Sequence, residues 1–113
     1  MRVIIAGGRD YHNYDTLLEA ISECQFDIDT VVSGGAKGVD ALGEAYAIQM
    51  NLKLNIYNAD WEANGRAAGP IRNRKMAENA DGLIAIWDGK SKGTKNMIET
   101  ATKLGLRVYI KRY

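Results

Sequence analysis

Three short stretches carry residues suited to holding a phosphorylated ligand. The most distinctive is SGGAKGVD, Ser33 to Asp40. Gly34, Gly35 and Gly38 remove side chains where a ligand would approach the backbone, with Ala36 between them. The first N–H groups of the helix that follows, aided by its dipole, would form an anion site. Lys37 would neutralise a bound phosphate or lie in solvent. Asp40 would either stabilise the helix dipole or accept from a ribose hydroxyl. The second stretch is Gly7-Gly8-Arg9-Asp10-Tyr11, in which Arg9 is suited to bidentate phosphate contact. The third is Asp88 to Thr94, where Gly89 and Gly93 flank hydroxyls at Ser91 and Thr94 and charges at Lys90 and Lys92. Arg72 and Asn73 in GPIRNR, and Trp61 beside Asp60, add a cation, an amide and a stacking surface.

Each stretch follows an apolar run. Arg2 to Ala6 (RVIIA), Thr30 to Val32 and Gly82 to Trp87 (GLIAIW) read as strands, the first and last buried on both faces. Leu52, Leu54, Ile56 and Tyr57 mark a third strand in chain order, and Arg107 to Ile110 a fifth, with Lys111-Arg112-Tyr113 a polar end. Helical patterns lie between them. Tyr14, Leu17, Leu18, Ile21 and Cys24 form one apolar face, with Asn13 or Asp15 as its cap. Val39, Leu42, Tyr46 and Met50 form another, and Met97, Ala101 and Leu104 a last one that Gly105 stops. Pro70 fits the first position of a helix carrying Met76, Ala77 and Ala80.

Strands alternating with helices predict a parallel sheet covered on both faces. Right-handed crossovers then favour a doubly wound α/β fold, expected here as one five-stranded domain over residues 1–113 with strand order 3-2-1-4-5. In such sheets ligands bind outside the C-terminal strand ends, where the order reverses. The three glycine stretches are expected to face one pocket there.

Composition narrows the function. The 113 residues include 46% hydrophobic residues, enough to build a core without staples. The net charge of +1 gives no global attraction to nucleic acid or a membrane, so anion binding must rest on local geometry. One cysteine, Cys24, excludes a disulfide framework, and neither a metal nor a cofactor is expected. A cytoplasmic protein is expected, since no apolar stretch is long enough to span a bilayer.

The motifs GGRDY, SGGAKGVDALGEAYA, ADW, AAGPIRNRKM and WDGKSKGT, then MIETA, occur in that order along nearly the whole chain. Together they resemble the YspA/YpsA-related branch of the SLOG superfamily, the Rossmann-like group named for Smf/DprA and LOG proteins. SGGAKGVD also resembles the phosphate-binding loop of the DprA proteins. The resemblance implies a domain that binds nucleotides or nucleotide-derived ligands such as ADP-ribose. Such members sense, process or sequester them, in settings that include phage–host conflict, and relatives form homo-oligomers. The LOG branch contains phosphoribohydrolases that cleave a base from its ribose phosphate. Arg72, Met76 and Ala80-Asp81 match the spacing of their arginine motif, and Gly93-Thr94 the centre of Gly-Gly-x-Gly-Thr-x-x-Glu. Met97 stands at the catalytic glutamate position, and Glu99 lies roughly 200° further around the helix.

A binding protein without its own chemistry is therefore the favoured reading. Ser33 to Gly38 and Gly93-Thr94 would hold phosphates, Arg72 and Arg9 would pair with them, and Trp61 or Tyr11 would stack on a base. A hydrolase acting on an N-glycosidic or phosphoester bond is the alternative, with Asp10, Asp40, Asp60 and Asp88 as candidate acids or bases. A DprA-like DNA-binding module is the third, and the absence of a basic stripe argues against it.

Overall fold

The computed structural model describes residues 1–113. Five strands form one parallel sheet: β1 (Arg2–Gly7), β2 (Thr30–Ser33), β3 (Lys53–Ile56), β4 (Gly82–Trp87) and β5 (Arg107–Arg112). Their order is β3-β2-β1-β4-β5, as expected for a doubly wound α/β fold. The helices are α1 (Tyr14–Cys24), α2 (Val39–Gln49), the short α3 (Trp61–Asn64), α4 (Ala68–Glu78) and α5 (Lys92–Lys103).

Alternation along β1 explains the two-sided packing. Ile4 and Ala6 face one way and join Met76 and Ala77 of α4 and Met97 and Ala101 of α5. Val3 and Ile5 face the other way, toward Leu17 and Ala20 of α1 and Val39 and Ala47 of α2. Val3, Ile4 and Ile5 are wholly buried, which is why β1 reads as an unbroken apolar run. Its register against β4 pairs Val3 with Gly82 and Gly7 with Ile86, so both strands end at one rim.

Local signals set most helix ends. The Asn13 side chain accepts from the Asp15 N–H at 3.1 Å, capping α1. Asn13→Ala should lower stability by about 1 kcal/mol, or roughly 4 °C in melting temperature, read by calorimetric scanning. Gly105, at φ +79°, ends α5: its N–H donates to the Thr102 carbonyl, and the Leu106 N–H to that of Ala101. That is the Schellman pattern. Asn51, at φ +54°, ends α2 by the same pair of bonds, from Asn51 to Ile48 and from Leu52 to Ala47. Leu52 therefore belongs to the helix exit and not to β3.

Four further expectations are corrected. Pro70 is the third residue of α4, not the first, because α3 and a 3-10 turn at Gly65–Ala67 carry the chain into the helix early. Its missing N–H still falls among the helix's four unpaired donors. Leu18 and Leu104 are half exposed, since Leu17 with Ala20, and Met97 with Ala101, supply the buried stripes. The polar end is strand, with Ile86 opposite Lys111 and Trp87 opposite Arg112. Lys111 sends its Nζ to Glu23 at 2.9 Å, and the Arg112 guanidinium lies 5.1 Å from the Trp87 ring. Both charged heads stay at the surface while their stems cover the edge strand.

Candidate functional site

The reversal in strand order falls between β1 and β4, and a cleft of about 740 Å³ opens there. Its walls are the β1 loop (Gly7 to Asp10), one face of α4 and the start of α5. That volume lies within the usual range for small-molecule sites.

The start of α5 is the open helix N-terminus. Ser91 caps it, its Oγ accepting from the Thr94 N–H, while the Lys92 and Gly93 N–H groups make no hydrogen bond within the chain. Asp88 shapes the approach: its Oδ1 accepts from the N–H groups of Lys90 and Ser91, both at 2.8 Å. Those bonds hold its carboxyl below the ordinary carboxylate range. Thr94 and Asn73 line the cleft while nearly wholly buried. The Asn73 amide donates to Asn96 Oδ1 at 2.9 Å and accepts from Arg72 Nε at 3.0 Å. Arg72 is thereby oriented, and its Nη1 donates to the Gly34 carbonyl at 2.6 Å. Its Nη2 has no partner in the chain and is free for an anion. Burial lowers the Arg72 pKa, with nearby Asp40 opposing that shift.

Asp40 is 7% exposed at the wall of the cleft. One of its carboxylate oxygens accepts from the Ala36 N–H at 3.2 Å. Burial raises its pKa above the carboxylate norm, outweighing the Ala36 N–H and Arg72, which favour the charged form. The ionised side chain therefore costs folding free energy. That cost is absent below about pH 4 and grows as pH rises through the folded-state pKa. Asp40→Asn should consequently gain stability relative to the native chain as pH increases from about 4 to 7. Urea midpoints across that window measure the gain, and a pH-independent difference would contradict it.

The Ser33–Asp40 loop does not present itself as expected. Ser33 is wholly buried: its Oγ donates to Glu44 at 2.6 Å and accepts from the Gly35 N–H. Gly38 faces no cleft either, since its Cα packs on the carbonyls of Gly8 and Arg9. The Val39 N–H donates to the Gly8 carbonyl at 3.1 Å, so the β1 loop covers the start of α2. Only Ala36 and Asp40 of this loop line the main cleft. Gly34, Gly35 and Lys37 line a second hollow of about 300 Å³, which shares Arg9, Ala36, Trp61 and Arg72 with the first.

Other expected residues divide similarly. Gly7, Gly8, Arg9, Asp10, Trp61, Arg72, Asn73, Asp88, Ser91, Gly93 and Thr94 all border the main cleft. Tyr11 does not; its ring stacks on Tyr113 at 4.0 Å and its hydroxyl pairs with Thr16. Asp60 caps α3 by accepting from the Ala63 N–H. Trp61 is half exposed, with the Arg9 guanidinium 6.0 Å from its ring. Met97 lies in the cleft and Glu99 does not, as the helical spacing requires. Asn96, Arg66 and Tyr113 reach the cleft without having been singled out. Asn96 sits three residues from Gly93 on α5, a spacing that gave a usable signal. Tyr113 gave none, because only the added length of β5 brings it to the rim.

Residues 1–63 match the model of the YspA, cpYpsA-related SLOG family. The Gene 61 protein of Mycobacterium phage D29 is 32% identical over 117 residues, covering 95% of this chain and 93% of that one. DNA processing protein A (DprA) from Streptococcus pneumoniae, solved by X-ray crystallography, aligns with a TM-score of 0.77 at 20% identity. That alignment takes in 96% of this chain but only 49% of the DprA chain, about half its length. It bears on the fold.

Proposed function

Since the chain belongs to the YspA, cpYpsA-related SLOG family, we propose that it binds a nucleotide or nucleotide-derived molecule in the β1/β4 cleft without transforming it. The observation that carries this reading is the α5 start, where two N–H groups without a partner in the chain border the same cleft as the Arg72 guanidinium. Backbone amides and a guanidinium suit a phosphate. The half-exposed Trp61 offers a face for a base, and Asp10 and Asp40 offer acceptors for sugar hydroxyls. Met97 supports binding over turnover, because a thioether cannot carry protons where a carboxylate would.

The protein would then sense or sequester its ligand. A relative encoded by a phage suits a part in phage–host conflict. Self-association is part of the same proposal, and sedimentation velocity tests it. Titration calorimetry with AMP, ADP-ribose and cyclic ADP-ribose tests the binding. Saturable binding of at least one, with the ligand recovered intact, is expected; no binding, or rapid turnover, would contradict the reading.

One observation favours a second reading. The desolvated Asp40 carboxyl at the cleft wall has the raised proton affinity expected of a general acid. Base release from nucleotides, followed by chromatography, would reveal a hydrolase.

A further inference from the structure

Helix α2 breaks the pattern of the other long helices. Each of those turns charge to solvent: Glu19 and Glu23 on α1, Arg74, Lys75 and Glu78 on α4, Lys95, Glu99 and Lys103 on α5. The outward residues of α2 are Ala41, Ala45 and Ile48, with Met50 just beyond its end. Ile48 is 74% exposed and Met50 57%. The two carboxylates of α2 are taken up by the fold, since Asp40 is buried and Glu44 accepts from the Ser33 hydroxyl. A helix that is apolar all round requires cover on every side.

The open side lies over β3. Tyr46 and Gln49 face α1, where Gln49 accepts from the Tyr14 hydroxyl at 2.7 Å, and Ala47 is buried on the sheet. Ile48 follows Ala47 by about 100° around the axis, away from Tyr46, so it stands with Ala41 and Ala45 on the flank above the sheet edge. That edge is β3, which pairs only with β2. Lys53 and Tyr57 send their N–H groups to the Asp29 and Ser33 carbonyls. Strand alternation therefore turns the N–H and C=O groups of Leu54 and Ile56 outward. Ile56 is 47% exposed and shares a face with Leu54, which packs on the α2 side of the sheet. The other edge, β5, carries Arg107, Lys111 and Arg112, charges that discourage pairing. β3 carries Lys53 alone, with neither a proline nor a bulge.

We propose that this flank is a homodimer interface, with β3 paired antiparallel to β3 of a second copy and α2 beside its equivalent. A second copy fits because the edge complements itself. Around a two-fold axis at Asn55, the free groups of Leu54 meet those of Ile56 in the other copy, donor to acceptor. Lys53 then faces Tyr57, and the two lysines stand about 14 Å apart along the strands, beyond the Debye length. The same axis brings Ile48 of each α2 toward Ala41 of the other, a large side chain against a small one. The dimer belongs to the self-association in the reading above and is independent of the ligand.

Sedimentation velocity on the native chain, Ile48→Glu and Leu18→Glu tests it. Ile48 is exposed, so its variant will fold, and Leu18 places the same charge on the outer face of α1. The native chain and Leu18→Glu should be dimers at about 100 µM, while Ile48→Glu, which buries two facing carboxylates, should dissociate about 100-fold more readily. Amide exchange gives a second readout: the Leu54 and Ile56 N–H groups should be protected in the dimer and lose protection in Ile48→Glu. A dimer that survives Ile48→Glu, or one whose Leu54 and Ile56 amides exchange freely, would overturn this interface and leave self-association standing. A native chain that stays monomeric would remove both, with ligand binding still to be judged by calorimetry.

Discussion

Replacing Arg72 with methionine should weaken nucleotide binding by about 100-fold and, by taking the donor from the Gly34 carbonyl and Asn73 Oδ1, lower the melting temperature by roughly 6–12 °C. A hydrogen bond to a charged group contributes about 1.5–3 kcal/mol, and each 1.4 kcal/mol is ten-fold in affinity. The arginine sits at the meeting point of α4, the Ser33–Asp40 loop, the main cleft and the second hollow. Nε and Nη1 are spent on Asn73 and Gly34, which leaves Nη2 for the ligand. Arg72→Lys should not restore binding, because one ammonium cannot satisfy two fixed acceptors and still reach a phosphate. Calorimetry supplies the affinity, and a thermal scan of the same samples separates lost binding from lost folding. Retention of native affinity in both variants would show that the ligand lies elsewhere.

Gly38→Ala should be the most damaging single-methyl change on the rim. Gly38 holds φ +74° and ψ −126°, a region that side chains rarely enter. A Cβ there would run into the carbonyl oxygens of Gly8 and Arg9, which belong to backbone and cannot swing away. Strain and overpacking together should cost about 3 kcal/mol or more, lowering the melting temperature by roughly 12 °C. Gly93 provides the contrast. It has no positive φ, and a Cβ there meets nothing within 4 Å. Gly93→Ala should hold or slightly raise stability while filling cleft space, so only binding should fall. Equal stability of the two variants would mean that the β1 loop does not rest on Gly38.

These two glycines also show what a sequence conveys about a site and what it withholds. The unbroken run at Val3 to Ala6 and the β-branched residues of β2 and β4 predict a buried parallel sheet. Its topology then brings each glycine loop to one rim. The division of labour along that rim depends on which way each loop residue turns. Ser33 and Gly38 lie in the same short motif as Lys37, yet Ser33 is buried against Glu44 and Gly38 against the β1 loop. Both uses, glycine for packing and glycine for ligand approach, select the same residue. Tyr11 illustrates a different limit, since its partner Tyr113 is 102 positions away and is set only by the register of β5. Arg74 lies two residues after Arg72 in the same GPIRNR run. The helix turns it outward to Glu78, where the 3.5 Å pair lies in solvent and contributes little.

Asp40 links the site to the fold. A buried carboxyl that braces the Ala36 N–H costs stability when ionised, yet it positions the loop between the main cleft and the second hollow.

The most direct measurement is an amide-resolved NMR titration of the isotope-labelled protein with AMP and ADP-ribose. The shifts should centre on Gly8, Arg9, Lys92, Gly93 and Thr94, with the Trp61 indole. Spectra unmoved at millimolar ligand, or shifts confined to the outer faces of α1 and β3, would contradict a nucleotide site at the β1/β4 rim.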